Sequence, residues 1–191
     1  MVSFFIQHNI HRHNSRWYCK LLISIHVSVY CQAAVPSRIV IVSSALHKYG
    51  HINFDDLNGR RTTKSQAYCD SKLANNHFAR ELARRTEGTG ISVYCLRPGL
   101  VRTDLGRHAA FISLLCYVLW PLVWLLLKSP YEGCQTVLHC AVSEELQNIS
   151  GRFYANCTQV PWSQVSSDDE VASKLWNVSE EITGIKVPTA K

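Results

Sequence analysis

The sequence predicts an α/β fold built around a parallel β-sheet, because two strand patterns flank a helical one. Residues 38–42 include a continuous β-branched run, as expected for a strand buried on both faces. Residues 68–85 carry apolar side chains near helical spacing and end before a Gly-Thr-Gly turn. Residues 91–96 form the next apolar run, which a Pro-Gly pair ends. Strand, helix and strand in this order are typical of βαβ units.

The remaining elements are predicted from turn residues and periodicity. Residues 45–66 are polar and indicate a loop, residues 132–142 a helix, and residues 151–154 a last short strand. Ser166 or Ser167, before an acidic run, is predicted to cap a final helix that ends at residue 182.

The composition fits one globular domain and argues against two classes of function. Of the 191 residues, 47% are hydrophobic and 18% are charged, with a formal net charge of +6. The basic residues are scattered rather than clustered, which argues against a nucleic-acid partner. The eight cysteines form no C-x-x-C pair, so no metal site is expected and the thiols are expected to be reduced.

Two segments have open interpretations. Residues 1–34 fit the later pattern poorly, and no Asp or Glu occurs before residue 55. This stretch is either a mitochondrial transit peptide or, as preferred, an unrelated or poorly ordered leader. Residues 109–127 are uncharged and long enough for a membrane span, but Pro121 interrupts them. A lid over a lipophilic substrate, or contact with a membrane surface, is the preferred interpretation.

A candidate acid–base pair lies at the predicted start of the first helix. Tyr68 and Lys72 are four residues apart, so their side chains project from one helical face. An ammonium close to a phenol favours the phenolate, which allows proton exchange with an alcohol or carbonyl. Ser43 and Ser44 end the preceding strand, and a hydroxyl there can bind the same substrate oxygen. Spacing alone leaves open that the pair is two unrelated surface residues.

Several motifs in this order resemble short-chain dehydrogenases, and within them the retinol dehydrogenase group that uses NADP(H). The motifs are RIVIVSS at 38–44, AYCDSKLAN at 67–75, RPGLVRT at 97–103, KSPYEGCQT at 128–136 and LWNVS at 175–179. The resemblance covers about residues 35–185, which leaves a tail at 186–191. It implies a partial, Rossmann-like, doubly wound parallel sheet corresponding to the C-terminal half of such an enzyme.

The resemblance also implies roles for individual residues. Tyr68 is expected to donate or accept the proton, and Ser44 to orient the substrate oxygen. Lys72 is expected to stabilise the phenolate of Tyr68 and to hold the nicotinamide ribose. The residues expected to bind the cofactor, NADP or NADPH, are Tyr68, Lys72, Pro98, Gly99, Val101 and Thr103. The substrate is expected to be a retinoid-like alcohol or aldehyde. The expected location is the cytosolic face of the endoplasmic reticulum membrane, with mitochondria as the alternative.

One departure from the family pattern supports a second hypothesis. The family's T-G-x-x-x-G-x-G turn, which binds the pyrophosphate, is not found, and no glycine occurs before Gly50. The first hypothesis is an NADP-dependent oxidoreductase. The second is a catalytically dead fragment that acts only by binding a membrane or a partner.

Overall fold

The computed structural model describes residues 36–57, 59, 61–101 and 127–184, together with the backbone of residues 2–7. Within these ranges the strands are β1 (Val2–Gln7), β2 (Ser37–Val42), β3 (Ile91–Arg97), β4 (Arg152–Ala155) and β5 (Thr158–Val160). The α-helices are α1 (Lys64–Arg85), α2 (Pro130–Val142) and α3 (Asp169–Thr183). Short 3-10 helices lie at Ala45–Tyr49, Phe54–Asp56, Glu144–Leu146 and Gln164–Ser166.

The strands form one sheet in the order β1-β2-β3-β4-β5. The first four strands run parallel, and β5 pairs antiparallel with β4. Asn156 and Cys157 join β4 to β5 with φ values of 52° and 59°, as a tight hairpin turn requires. In the register of β2 and β3, Val42 lies opposite Leu96, so the carboxyl ends of both strands reach the same sheet edge. Ligands bind at that edge in open parallel sheets.

Helices cover both faces of the sheet, which confirms the predicted doubly wound α/β class. Alternate residues of β2 and β3 point to opposite faces, as the strand repeat of two requires. One face packs against α1 and α3 and contains Ile39, Ile41, Val93, Cys95, Phe78, Leu82 and Trp176. The other packs against α2 and contains Val40, Tyr94, Leu96, Cys140 and Ala141. The long buried runs in β2 and β3 are therefore the signature of a two-sided core.

The helix boundaries correct three predictions. Helix α1 begins at Lys64 rather than at residue 68, because the Thr63 hydroxyl accepts a hydrogen bond from the Gln66 N–H. Helix α2 begins at Pro130 rather than at residue 132, with a capping box between Ser129 and Glu132. Consequently, the predicted loop at 45–66 contains two 3-10 helices and the start of α1.

The predicted cap of the last helix was wrong. Asp168 caps α3, because its carboxylate accepts hydrogen bonds from the N–H groups of Glu170 and Val171. Ser166 instead lies buried at the end of a 3-10 helix. The strand predicted at 151–154 is β4, one residue later, and β5 was not predicted because its three residues carry little pattern.

Some predictions fall outside the described residues. They concern most of the leader at 1–34, nearly all of the apolar segment 109–127, the tail at 186–191 and Thr103. Within the described part of the chain, no helix is long and apolar enough to cross a bilayer. Strand β1, from within residues 1–34, pairs with β2 through backbone hydrogen bonds.

Candidate active site

The first turns of α1 carry the predicted acid–base pair. Tyr68 is half-buried, while the Lys72 side chain is buried with 3% of its surface exposed. The Lys72 Nζ lies 5.6 Å from the centroid of the Tyr68 ring, a distance at which an ammonium and an aromatic ring attract each other. The structure therefore brings the two side chains together, as their spacing in the sequence predicts.

The end of strand β2 holds the Lys72 side chain. Its Nζ donates a hydrogen bond to the Val42 carbonyl at 3.2 Å, and the Asn75 amide donates to the same carbonyl at 3.1 Å. A buried ammonium needs such acceptors, because moving it out of water without replacing its hydrogen bonds is strongly unfavourable. Asn75 was not identified from the sequence as a functional residue. Its position three residues after Lys72, on the same helical face, is the signal that could have found it.

The two serines after β2 differ in their surroundings. The Ser43 hydroxyl is 2% exposed and donates to the Lys72 carbonyl at 3.0 Å, so it ties the strand to the helix. Ser44 is half-buried, and its hydroxyl oxygen accepts a hydrogen bond from the Leu46 N–H at 3.3 Å. That bond does not use the Ser44 O–H, which remains a donor for another group. The geometry thus assigns Ser43 a structural contact and leaves Ser44 as the hydroxyl suited to a substrate.

The segment after Ser44 runs back along α1 in close contact with it. A Cβ at Gly50 would lie 2.6 Å from the Cys69 carbonyl oxygen and 2.8 Å from the Leu73 Cβ. The Gln66 side chain donates to the Tyr49 carbonyl at 2.8 Å. Only glycine permits this approach, so Gly50 sets how closely the segment packs on the helix that carries Tyr68.

We expect Gly50→Ala to lower the free energy of unfolding by about 1–3 kcal/mol, because the new methyl group overlaps helix backbone. The φ of Gly50 is −77°, which alanine adopts readily, so steric overlap is the cause. Urea denaturation measures the change. The matched control is Lys48→Ala, an exposed position in the same segment, where we expect a change within about 0.5 kcal/mol. Equal stability of both variants would contradict the close packing.

The end of β3 supplies the second side of the site. Gly99 has a φ of 91°, and a Cβ there would lie 3.5 Å from the Lys128 side chain. Gly99 is itself exposed and has no side chain, so a ligand could approach its backbone closely from the solvent side. Val101 forms an isolated parallel bridge with Lys128 and packs on Gly133, where a Cβ would lie 2.5 Å from the Val101 Cγ2. Pro98 is half-buried beside them.

Two further residues at this edge were not singled out from the sequence. The Lys128 Nζ donates a hydrogen bond to Asn156 Oδ1 at 2.6 Å, which links the start of α2 to the β4–β5 turn. Nothing in the sequence signals this contact, since the two residues lie 28 positions apart. In the core between β3 and α1, burial raises the pKa of the Cys95 thiol well above its ordinary value, against the opposing effect of Lys72. Cys95 is therefore a neutral thiol of the core.

Known proteins resemble this chain in sequence. The family described as short chain dehydrogenase matches residues 27–110. Retinol dehydrogenase 14 of Homo sapiens is 49% identical over 156 residues, which cover 81% of this chain and 46% of that protein. Retinol dehydrogenase 12 of Homo sapiens is 44% identical over 156 residues, with 81% of this chain and 48% of that protein covered. The chain spans about half the length of the curated relatives it matches.

Solved structures resemble it in fold. A putative uncharacterized protein from Mycobacterium paratuberculosis has a TM-score of 0.55 and 28% identity, with 79% of this chain and 52% of that one covered. A putative NAD(P) dependent gluconate 5-dehydrogenase from Beutenbergia cavernae has a TM-score of 0.50 and 20% identity, with coverages of 81% and 63%. The second likeness concerns the fold alone.

Proposed function

Because this chain resembles short-chain dehydrogenases and retinol dehydrogenases in sequence, we propose that it belongs to the short-chain dehydrogenase/reductase family and that its Tyr68, Lys72 and Ser44 side chains form the acid–base centre of an oxidoreductase. The proposed reaction interconverts a hydrophobic, retinoid-like alcohol and its aldehyde with NADP(H). The retinol dehydrogenases that the chain resembles support this substrate class. The observation that carries the proposal is the buried Lys72 ammonium beside the Tyr68 ring at the carboxyl edge of the sheet.

The described residues at this edge fit the nicotinamide end of such a cofactor. Gly99 leaves its backbone uncovered, and Pro98 and Val101 provide an apolar surface beside it. Lys72 on α1 is the ammonium that we propose binds the ribose hydroxyls. We propose that Thr103, which lies outside the described residues, completes this set.

The proposed reduction uses three side chains of this chain. When bound, the cofactor supplies the hydride that adds to the carbonyl carbon. Tyr68 donates its hydroxyl proton to the carbonyl oxygen, and Ser44 donates a hydrogen bond to that oxygen. Lys72 stabilises the phenolate that remains on Tyr68. Oxidation of the alcohol follows the reverse path, with the phenolate accepting the proton.

NADPH titration, followed by fluorescence, tests whether this chain binds the cofactor. We expect saturable binding with a Kd below about 1 mM, that is, at least about 4 kcal/mol of binding free energy. Lys72→Met should weaken binding, whereas Lys174→Met, which removes an exposed lysine on α3, should not. No saturable binding by the wild-type chain would favour the second hypothesis, a fragment that acts only by binding a membrane or a partner.

Substitution of the two serines separates their proposed roles. We expect Ser44→Ala to lower kcat/KM about a hundredfold or more, because the substrate oxygen loses a donor in the transition state. We expect Ser43→Ala to lower the free energy of unfolding by about 1–2 kcal/mol, because a buried hydrogen bond to the Lys72 carbonyl is lost. Steady-state kinetics and urea denaturation measure both effects. A loss of turnover in Ser43→Ala with normal turnover in Ser44→Ala would reverse the assignment.

The proposed location rests on the resemblance alone. The cytosolic face of the endoplasmic reticulum membrane, with residues 109–127 touching the membrane surface, remains a prediction, as does the mitochondrial alternative. The division at residue 34 into a leader and a catalytic portion also remains a prediction.

A further inference from the structure

A buried histidine lies directly behind the proposed substrate-binding serine. His47 is 1% exposed, although its neighbours Leu46 and Lys48 are exposed. Its Nδ1 lies 2.5 Å from the Ser44 carbonyl oxygen, and its Nε2 lies 2.8 Å from the Ser163 Oγ. The imidazole and the Phe153 ring also pack edge to face, with their centroids 5.6 Å apart and an interplanar angle of 75°. Contacts on three sides thus fix the orientation of the ring.

The hydrogen bonds continue from His47 through the C-terminal segment into the sheet core. Ser163 Oγ lies 2.9 Å from Ser166 Oγ, and the Asn76 amide donates to Ser166 Oγ at 2.9 Å. The Cys95 thiol donates to Asn76 Oδ1 at 3.3 Å. A single row of polar groups therefore joins β3, α1 and the 3-10 helix at Gln164–Ser166 to the end of β2.

All bonds in this row can be assigned one direction. The Ser44 carbonyl only accepts, so the proton of a neutral His47 lies on Nδ1 and its Nε2 must accept. The Ser163 hydroxyl then donates to Nε2, and the Ser166 hydroxyl donates to Ser163. Asn76 donates to Ser166 and accepts from the Cys95 thiol, which completes the row without two donors facing each other.

His47 is held in its neutral form by its surroundings. Burial lowers the pKa of His47, and the positive charges of Lys48 and Arg97 act in the same direction. The hydrogen bond to the Ser44 carbonyl opposes these effects. A proton on Nε2 would face the Ser163 hydroxyl and force the row to reverse, so the geometry favours the Nδ1–H tautomer.

We propose that His47 is a positioning residue that, as its Nδ1–H tautomer, holds the Ser44 backbone so that the Ser44 hydroxyl faces the substrate. The functional part of this proposal rests on the role proposed above for Ser44. Ser44 begins the 3-10 helix at Ala45–Tyr49, and its hydroxyl is already engaged by the Leu46 N–H. Movement of the Ser44 carbonyl would turn the hydroxyl away, so a donor on that carbonyl controls the reactive group indirectly.

The tautomer can be measured on the full wild-type chain without any assay of activity. Nitrogen-15 NMR of the imidazoles, with His47 assigned by the signal that disappears in His47→Gln, reports which nitrogen carries the proton. We expect protonation of Nδ1 only, at neutral pH. Protonation of Nε2, or of both nitrogens, would overturn the proposal.

Two substitutions separate the bond to Ser44 from the bond to Ser163. An asparagine amide can occupy the position of Nδ1, so His47→Asn keeps a donor for the Ser44 carbonyl. A glutamine amide can occupy the position of Nε2, so His47→Gln keeps the link to Ser163 and loses the side-chain donor to the Ser44 carbonyl. The backbone N–H of residue 47, 3.2 Å from that carbonyl, is the same in both variants. We expect the Leu46 amide, bonded to the Ser44 hydroxyl, to exchange its hydrogen about tenfold faster in His47→Gln than in His47→Asn. Equal exchange in the two variants would overturn the proposal.

Kinetics then tests the consequence for the reaction. We expect kcat to fall about tenfold or more in His47→Gln relative to His47→Asn, with the same KM for NADPH in both, because only the substrate oxygen loses its partner. Equal kcat values would overturn the positioning role. Lack of turnover by the wild-type chain would count against the proposed function, whereas the NMR and exchange measurements would still decide where the His47 proton lies and whether it holds Ser44.

Discussion

Tyr68→Phe is expected to lower kcat by about a hundred- to ten-thousandfold while the chain keeps its fold. Phenylalanine retains the ring that faces the Lys72 ammonium and removes only the hydroxyl that exchanges the proton. The Tyr68 side chain is half-buried on the surface of α1 rather than in the core, so its hydroxyl contributes little to the free energy of unfolding. We therefore expect the free energy of unfolding to change by less than about 1 kcal/mol.

The measurement is the steady-state rate of NADPH-dependent reduction of a retinoid-like aldehyde, together with urea denaturation of the same preparations. Tyr131→Phe is the matched control, because it removes a phenol hydroxyl from an exposed position on α2. We expect this control to retain the wild-type rate. A Tyr68→Phe chain that turns over as fast as the control would remove Tyr68 from the reaction.

Trp176→Ala is expected to give the largest loss of stability, about 3–5 kcal/mol in the free energy of unfolding. The Trp176 ring is 2% exposed and stacks on Phe78, with centroids 5.2 Å apart and an interplanar angle of 9°. The Arg85 guanidinium lies 4.7 Å from its centroid, and its Nε1 donates to Glu180 at 2.8 Å. Its removal leaves a cavity between α1 and α3, since this ring fills the space between them.

Urea denaturation of Trp176→Ala and Trp176→Phe separates packing from polar contacts. Phenylalanine keeps an aromatic ring on Phe78 and loses the hydrogen bond to Glu180, so we expect a smaller loss of about 1–2 kcal/mol. If both variants unfold at the wild-type urea concentration, Trp176 does not join α1 to α3 in the way described.

The layered fold could be predicted from the sequence because its strands are buried on both faces. The run at 38–42 and the run at 91–96 each supply side chains to two cores, and such strands leave a continuous apolar pattern. Strand β5 left no such pattern, because its residues are mostly exposed and only three in number. The start of α1 was placed late for a related reason: its first two residues, Lys64 and Ser65, are polar and exposed, so they add nothing to the apolar pattern.

The local part of the candidate site could also be predicted, while its long-range contacts could not. Tyr68 and Lys72 are neighbours by helical geometry alone, so their spacing suffices. The bonds of His47 to Ser163 and of Lys128 to Asn156 join residues 116 and 28 positions apart. No local pattern encodes such pairs, because the fold itself brings them together.

Transfer of deuterium from NADPH labelled at the reactive C4 position is the most direct test of the proposed Ser-Tyr-Lys centre. The full chain is incubated with the labelled cofactor and a retinoid-like aldehyde, and the alcohol is analysed by mass spectrometry. We predict that the wild-type chain forms an alcohol that carries one deuterium. We predict that Tyr68→Phe forms almost no labelled alcohol. Unlabelled alcohol from the wild-type chain, no alcohol at all, or equal labelling by Tyr68→Phe would contradict the assignment.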